Sequence, residues 1–269
     1  MSRIYNTDIA ADLEALRKMK PGGVAFPEVY PRQNYYGEPD AVAAGLEPVE
    51  AVPDVLLQPD QYEDALKEAH ELQTLPIYHA QHTWRPVGYR YSQNGLNYCW
   101  GWSFAGAGMT CRAMEDKETV KLAPVSMGYL VGWKNRGNHL QSGIKGFRED
   151  GICPAPDGNM NSTNRSASYW AQYAEQRKLY RLDKVWDCNA RAGDAVMKQH
   201  CLSILVYGRS GYAAWNHLMH AMEVLSIRIE NGVWYWDISN SHNSPEILTM
   251  TGSLAVPDEF YGFISTVAA

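Results

Sequence analysis

The chain has 269 residues, of which 45% are hydrophobic and 20% are charged, and its formal net charge is −6. The acidic balance and the lack of a long basic run exclude the usual nucleic-acid-binding groove, so no nucleic-acid partner is expected. No run approaches the roughly 20 apolar residues that a membrane-spanning helix needs, so no membrane association is expected either.

The start of the chain carries charges throughout and has no apolar core, which predicts that there is no signal peptide. The five cysteines are an odd number without paired spacing. This pattern predicts free thiols in a reducing compartment rather than a disulfide framework. We therefore expect the protein to be cytoplasmic, or to be carried in an assembled particle as argued below.

Residues 1–82 predict an N-terminal extension or arm, and residues 83–269 predict the main domain. The extension holds two helical patterns, over residues 8–19 and residues 58–73, and Asp60 is the expected N-cap of the second. Proline and glycine punctuate the segment between them, as is typical of loosely structured chain. We expect the arm to dock on this protein or on a neighbouring copy.

Residues 93–104 read QNGLNYCWGWSF and are the most informative stretch of the chain. They place Cys99 at the start of an apolar helix that we predict over residues 99–114, six residues after Gln93. A thiol at a helix N-terminus lies near unpaired backbone N–H groups and the positive end of the helix dipole, which favours the thiolate. The Gln93 amide can act as an oxyanion donor beside the Cys99 backbone N–H. The stretch predicts the nucleophile segment of a thiol hydrolase.

The spacing Gln-x-Gly-x-x-x-Cys-Trp resembles that of the papain-like cysteine peptidases. The resemblance implies an α+β, two-lobed fold with a helical first lobe and an antiparallel β second lobe. It implies no metal and no organic cofactor. Leu96 stands where that family usually has a disulfide cysteine. The Gly-Gly pair that often lines the family's cleft corresponds to Ser142 and Gly143, which are the candidate substrate-binding residues.

The remaining elements follow from local patterns. Segments 122–130 and 143–152 resemble the family's next two helices. Farther along, we expect a helix over 187–200 and an apolar strand over 201–207. Two further strands, over 219–230 and 233–239, flank Asn231-Gly232, a strong signal for a two-residue hairpin turn.

A thiolate needs a partner imidazole, and the imidazole needs an orienting acceptor. In the family these residues follow the cysteine by roughly 130–150 positions. Asn240 fits the orienting role, and His217, in Asn-His-Leu, is the preferred base. His220, which begins His-Ala-Met, is the alternative. If both histidines lie in one strand, their odd separation points them to opposite faces, so only one can address Cys99.

A zinc site is a less favoured alternative. His-x-x-His is an acceptable ligand spacing, but the chain has no His-Glu-x-x-His and no Cys-x-x-Cys motif. The residues that would supply the ligands are His79, His82, Cys99, His217 and His220.

The sequence thus predicts a papain-like cysteine hydrolase, an endopeptidase acting on a peptide or protein substrate, with Cys99, His217, Asn240 and Gln93 as its catalytic residues. The alternative is a catalytically weak or inactive papain-like domain that serves a larger assembly, such as a viral particle, through its N-terminal arm. The replacement of the family's Asn-Ser-Trp by Asn-Ser-His motivates this alternative, because that Trp shields the His–Asn hydrogen bond.

Overall fold

One seven-stranded sheet organises the chain, with strand order β1-β6-β5-β4-β3-β7-β2. Its pairs are antiparallel except at one edge, where β1 runs parallel to β6. The computed structural model describes residues 4–18, 56–83, 96–130, 140–155, 166–188, 193–241 and 247–267.

Helices supply most of the described chain before residue 182, and strands supply most of it afterwards. The α-helices are α1 Ala10–Lys18, α2 Tyr62–Glu71, α3 Pro76–Thr83, α4 Cys99–Met114, α5 Pro124–Leu130, α6 Leu140–Glu149, α7 Ala167–Ala171, α8 Ala174–Arg177 and α9 Asp194–Val206. The strands are β1 Ile4–Asn6, β2 Leu182–Cys188, β3 Ser210–Trp215, β4 His220–Glu230, β5 Val233–Ser239, β6 Ile247–Thr251 and β7 Glu259–Thr266. Among the described helices, none is both long enough and apolar enough to cross a bilayer.

Alternate residues of the central strands pack into two different hydrophobic cores, one on each face of the sheet. On β3, Tyr212 and Ala214 belong to the core that contains α4, whereas Ala213 and Trp215 belong to the core that contains buried residues of α1, α2 and α9. This alternation is the two-residue period of a strand that is covered on both faces. The sheet therefore lies between α4 and its neighbouring helices on one side and α9 on the other.

The predicted helix over 99–114 is confirmed, and the hairpin at Asn231-Gly232 is confirmed as well. Asn231 and Gly232 have φ values of 53° and 76°, which are the left-handed conformations that a type I′ turn requires at both central positions. The β3 strand was not predicted, because its glycine and alanine residues carry little strand propensity. Gly211 is needed there, since a Cβ atom would lie 2.2 Å from Cζ of Phe260.

Three predictions are wrong. The helix expected over residues 187–200 begins only at Asp194, because Asp187 and Cys188 end strand β2, which the sequence analysis did not anticipate. Residues 201–207 were expected to form a strand, but α9 continues through them to Val206. A short apolar run does not distinguish a buried strand from a buried helix, and here Cys201 and the four residues after it are buried in the helix that covers the sheet. Asp60 is not a helix N-cap: it lies inside a 3₁₀ turn that Gln58 caps reciprocally with Gln61.

The described parts of the N-terminal extension are built into the same sheet and cores. Thr7 donates both its backbone N–H and its hydroxyl to the carbonyl of Thr251, at 2.8 and 3.0 Å. The Asp8 carboxylate accepts from the Ser253 backbone N–H, at 2.9 Å, and from the Ser253 hydroxyl. The domain boundary between residues 82 and 83 stays a prediction, and it falls beside residues that lie outside the described ranges.

Deleting residues 1–18 should destabilise the protein. The deletion removes β1 together with Tyr5 and Leu16, each 5% exposed. Burial of a large apolar side chain contributes about 1.5–3 kcal/mol, so we expect the free energy of unfolding to fall by at least about 3 kcal/mol. Urea denaturation of the full and truncated chains measures the change.

Glu14→Ala is the matched control, because Glu14 is exposed and, within the described part of the chain, its carboxylate forms an ion pair with Lys18 alone. Pairs of this kind contribute about 0.5 kcal/mol or less, so the variant should unfold at nearly the wild-type urea concentration. An unchanged midpoint after the deletion itself would show that the segment is a dispensable arm.

Candidate active site

Helix α4 carries the predicted nucleophile as its first residue. Cys99 through Ala113 are all buried, so this helix has no solvent-facing stripe and lies between the sheet and the other helices of its side. Tyr98 is the N-cap, and its carbonyl accepts the backbone N–H groups of Gly101 and Trp102 at 3.1 and 3.2 Å. The side chain of Tyr98 forms no cap, so the start of the helix must be held in another way.

The Tyr98 side chain anchors the helix start to α5. Its hydroxyl donates to the carbonyl of Pro124 at 2.5 Å, and the residue is fully buried. Its ring lies edge-on to the rings of Trp100 and Trp102. Gly101 makes room for the ring, because a Cβ atom there would lie 2.6 Å from Cζ of Tyr98. This anchor fixes the place of the adjacent Cys99, and the sequence analysis did not anticipate it.

The thiol of Cys99 faces the beginning of β4. The backbone N–H of Ala221 donates to Cys99 Sγ at 3.4 Å, and Cys99 is fully buried. Burial raises the pKa of the Cys99 thiol from about 9.0 to about 12, and the backbone N–H groups of Ala221, Trp100 and Cys99 itself lower it in part. Desolvation therefore outweighs the helix N-terminus that was expected to favour the thiolate.

His220 and Asn240 form a buried pair, and His220 directly precedes Ala221, the residue whose backbone N–H contacts the thiol. His220 is the first residue of β4, Asn240 directly follows β5, and both are about 5% exposed. His220 Nε2 lies 2.8 Å from Asn240 Oδ1. An amide oxygen only accepts hydrogen bonds, so this contact keeps a proton on Nε2 and directs proton exchange to Nδ1.

His217 occupies a different position from the one the spacing suggested. It lies in the 3₁₀ turn Asn216–Leu218 between β3 and β4, and it is half-buried. The two histidines therefore do not share a strand. Met219, with φ of 49°, separates the turn from β4, so that His220 is the histidine placed against Asn240. His220, the alternative candidate, is thus the histidine that contacts Asn240, and which histidine acts as the base stays a prediction.

The other candidate residues are placed as follows. Gln93 lies outside the described residues. Ser142 belongs to α6, and its side chain lies outside the described atoms. Gly143 is buried in the same helix, where a Cβ atom would lie 2.9 Å from the ring of Phe104. Gly143 thus allows α6 to approach α4 closely, and its role in substrate binding stays a prediction.

The zinc alternative gains no support from the geometry. Within the described ranges, no three His, Cys, Asp or Glu side chains gather closely enough to hold a metal ion. The five cysteines are all buried free thiols.

Neither a protein-family model nor a curated protein matches the sequence. Solved structures do match. Xylellain, a cysteine protease from Xylella fastidiosa, shares 15% identity at a TM-score of 0.51, over 91% of this chain and 96% of that one. Digestive procathepsin L2 proteinase from the Tenebrio molitor larval midgut shares 11% identity at a TM-score of 0.54, over 99% and 84%. At these identities the similarity shows the fold, which is the papain-like α+β fold.

Gly101→Ala should destabilise the protein by about 1–3 kcal/mol, although alanine is the better helix former, because the new methyl group overlaps the buried ring of Tyr98. Thermal or urea unfolding measures the loss. The same change made in a Tyr98→Ser background should be neutral or stabilising, since the ring is then absent. Equal destabilisation in both backgrounds would contradict the overlap.

Proposed function

We propose that the chain is a papain-like cysteine hydrolase, an endopeptidase in which Cys99, His220 and Asn240 act as the catalytic triad. One observation carries the proposal. The His220 ring contacts Asn240 at 2.8 Å, and the backbone N–H of the next residue, Ala221, contacts Cys99 Sγ at 3.4 Å. A nucleophile, a base and an orienting acceptor are thus gathered at one end of α4, as acyl transfer requires.

The chemistry follows from these places. His220 Nδ1 takes the thiol proton, and the Cys99 thiolate attacks the carbonyl carbon of a peptide bond. The backbone N–H of Cys99, with Gln93 in the role that the family resemblance gives it, donates to the oxyanion. His220 then protonates the leaving amine, and water releases the acyl group from sulfur. These steps need no metal and no organic cofactor.

The buried thiol sets the energetic requirement of this mechanism. A rise of the Cys99 pKa from about 9.0 to about 12 corresponds to about 4 kcal/mol against the thiolate. An imidazolium at about 4 Å contributes about the same amount in an environment of intermediate polarity. In the proposed mechanism the thiolate forms as an ion pair with His220, and the attraction between the two charges weakens as their distance grows.

A second candidate function is a binding or structural domain with little or no catalysis, as in a component of a viral particle. The full burial of Cys99 favours it, because a substrate carbonyl must reach the sulfur. The segment that begins with β1 would then serve assembly as well as the fold. A peptide or protein partner and a cytoplasmic or particle-bound location belong to these two proposals.

Labelling by an epoxide-type thiol inhibitor across pH 5 to about 9 distinguishes the hydrolase from the binding or structural domain. For the enzyme we expect fast labelling at about pH 6, confined to Cys99 and absent in Cys99→Ala. His220→Ala should slow it by about 100-fold or more, since it removes the base. His217→Ala is the matched control and should stay within about threefold of the wild-type rate. Peptide mapping after labelling identifies the modified thiol.

Labelling no faster than that of an ordinary thiol, rising only above about pH 8.5, would favour the binding domain. If labelling is lost in His217→Ala but retained in His220→Ala, His217 is the general base instead of His220. Cleavage of an unstructured protein such as casein, lost in Cys99→Ala, tests the endopeptidase activity directly.

A further inference from the structure

Two side chains of helix α4 hydrogen-bond the backbone N–H and the backbone carbonyl of the same residue of β4, Ala221. Cys99 Sγ accepts from the backbone N–H of Ala221 at 3.4 Å, and Ser103 Oγ donates to the carbonyl of the same residue at 2.6 Å. Ala221 directly follows His220 in the chain. The two contacts therefore join the nucleophile's helix to the peptide beside the base.

The helical period accounts for this arrangement. Cys99 and Ser103 are four residues apart, so their side chains lie one above the other on the same face of α4. Ser103 is 3% exposed and Ala221 is fully buried, so the hydrogen bond forms away from water, where it is strong and its loss leaves a carbonyl unsatisfied.

Other side-chain hydrogen bonds also join α4 to the sheet, from Thr110 to the Glu223 carboxylate of β4 and from Ser210 of β3 to the carbonyl of Ala107, but both lie farther along the helix from Cys99 than Ser103 does. The core between α4 and the sheet is otherwise lined by apolar side chains. Apolar packing is not directional, so it holds the helix against the sheet without fixing its position along β4 to a fraction of an ångström. A hydroxyl bonded to a named carbonyl does fix that position. The hydrogen bond from Ser103 to the Ala221 carbonyl, one helical turn after Cys99, can therefore set the close spacing that the proposed Cys99–His220 ion pair requires.

We propose that Ser103 is a positioning residue that sets the spacing between Cys99 and His220 by holding the carbonyl of Ala221. The inference rests on the proposed function, because it concerns the same thiol and base. Ser103 itself touches neither the substrate nor the reacting atoms.

The chain offers a matched control at the same interface. Ser210 of β3 donates its hydroxyl to the carbonyl of Ala107 at 2.7 Å and is fully buried. It too joins α4 to the sheet through one serine–carbonyl hydrogen bond, but Ala107 lies two helical turns beyond Cys99. Ser103→Ala and Ser210→Ala therefore remove bonds of the same kind, near the site and far from it.

The test is the pH dependence of Cys99 alkylation by iodoacetamide, with each thiol quantified by peptide mass spectrometry, and with thermal unfolding of every variant. We expect Ser103→Ala to slow alkylation at about pH 6 by about 10- to 100-fold and to move the profile toward that of an ordinary thiol. Ser210→Ala should lower the melting temperature comparably while staying within about threefold of the wild-type rate. Ser103→Thr keeps the hydroxyl and should also stay within about threefold.

Equal rates at about pH 6 in Ser103→Ala and Ser210→Ala, whether both fall or neither does, would overturn the positioning role and leave the proposed function standing. If Ser103→Ala does not fold, a folded Ser103→Thr without fast alkylation in acid would overturn it as well. A wild-type protein without fast alkylation in acid would overturn the proposed function, and with it the need for a positioning residue.

Discussion

The burial of helix α4 against the sheet is the constraint on which the rest of the site depends. Because residues Cys99 to Ala113 are all buried, the helix must be enclosed by β3, β4 and β7 on one side and by further helices on the other. Its first residue consequently meets the first residues of β4. The same burial that brings Cys99 against the backbone of Ala221 also removes water from the sulfur, so the packing of α4 both supplies a hydrogen-bond donor to the thiol and opposes its negative charge.

Two electrostatic effects compete at the sulfur, and their relative size decides what the thiol can do. The helix N-terminus and three backbone N–H groups favour the thiolate, while desolvation disfavours it and prevails. Under the proposed function the site would therefore depend on its imidazole more than a solvent-exposed cysteine does. Asn240 and Ser103 would then have related effects, since Asn240 would orient the His220 ring and Ser103 would set the distance of that ring from the sulfur.

Sequence reasoning succeeded where the signal is local. The apolar stretch after Cys99 and the Asn231-Gly232 turn both carry their structure in a few neighbouring residues, and both elements lie where they were predicted. Which histidine contacts Asn240 depends on where β4 begins, and that point is marked by a left-handed residue at Met219 and by pairing across the sheet. Residue spacing alone predicts neither feature. The catalytic and substrate-binding roles of all the candidate residues stay predictions.

The parallel pairing of β1 with β6 joins parts of the chain that are 245 residues apart, since Ile4 pairs with Thr249 and Asn6 pairs with Thr251. During synthesis on a ribosome, β1 is made long before β6 and has no strand partner until β6 has followed. Contacts between residues that are so far apart in the sequence form slowly during folding. β6 is also the neighbour of β5, the strand that leads to Asn240. Under the proposed function, Cys99 would therefore be made long before the sheet that holds its partners is closed, and its reactivity would be postponed until β6 has joined that sheet.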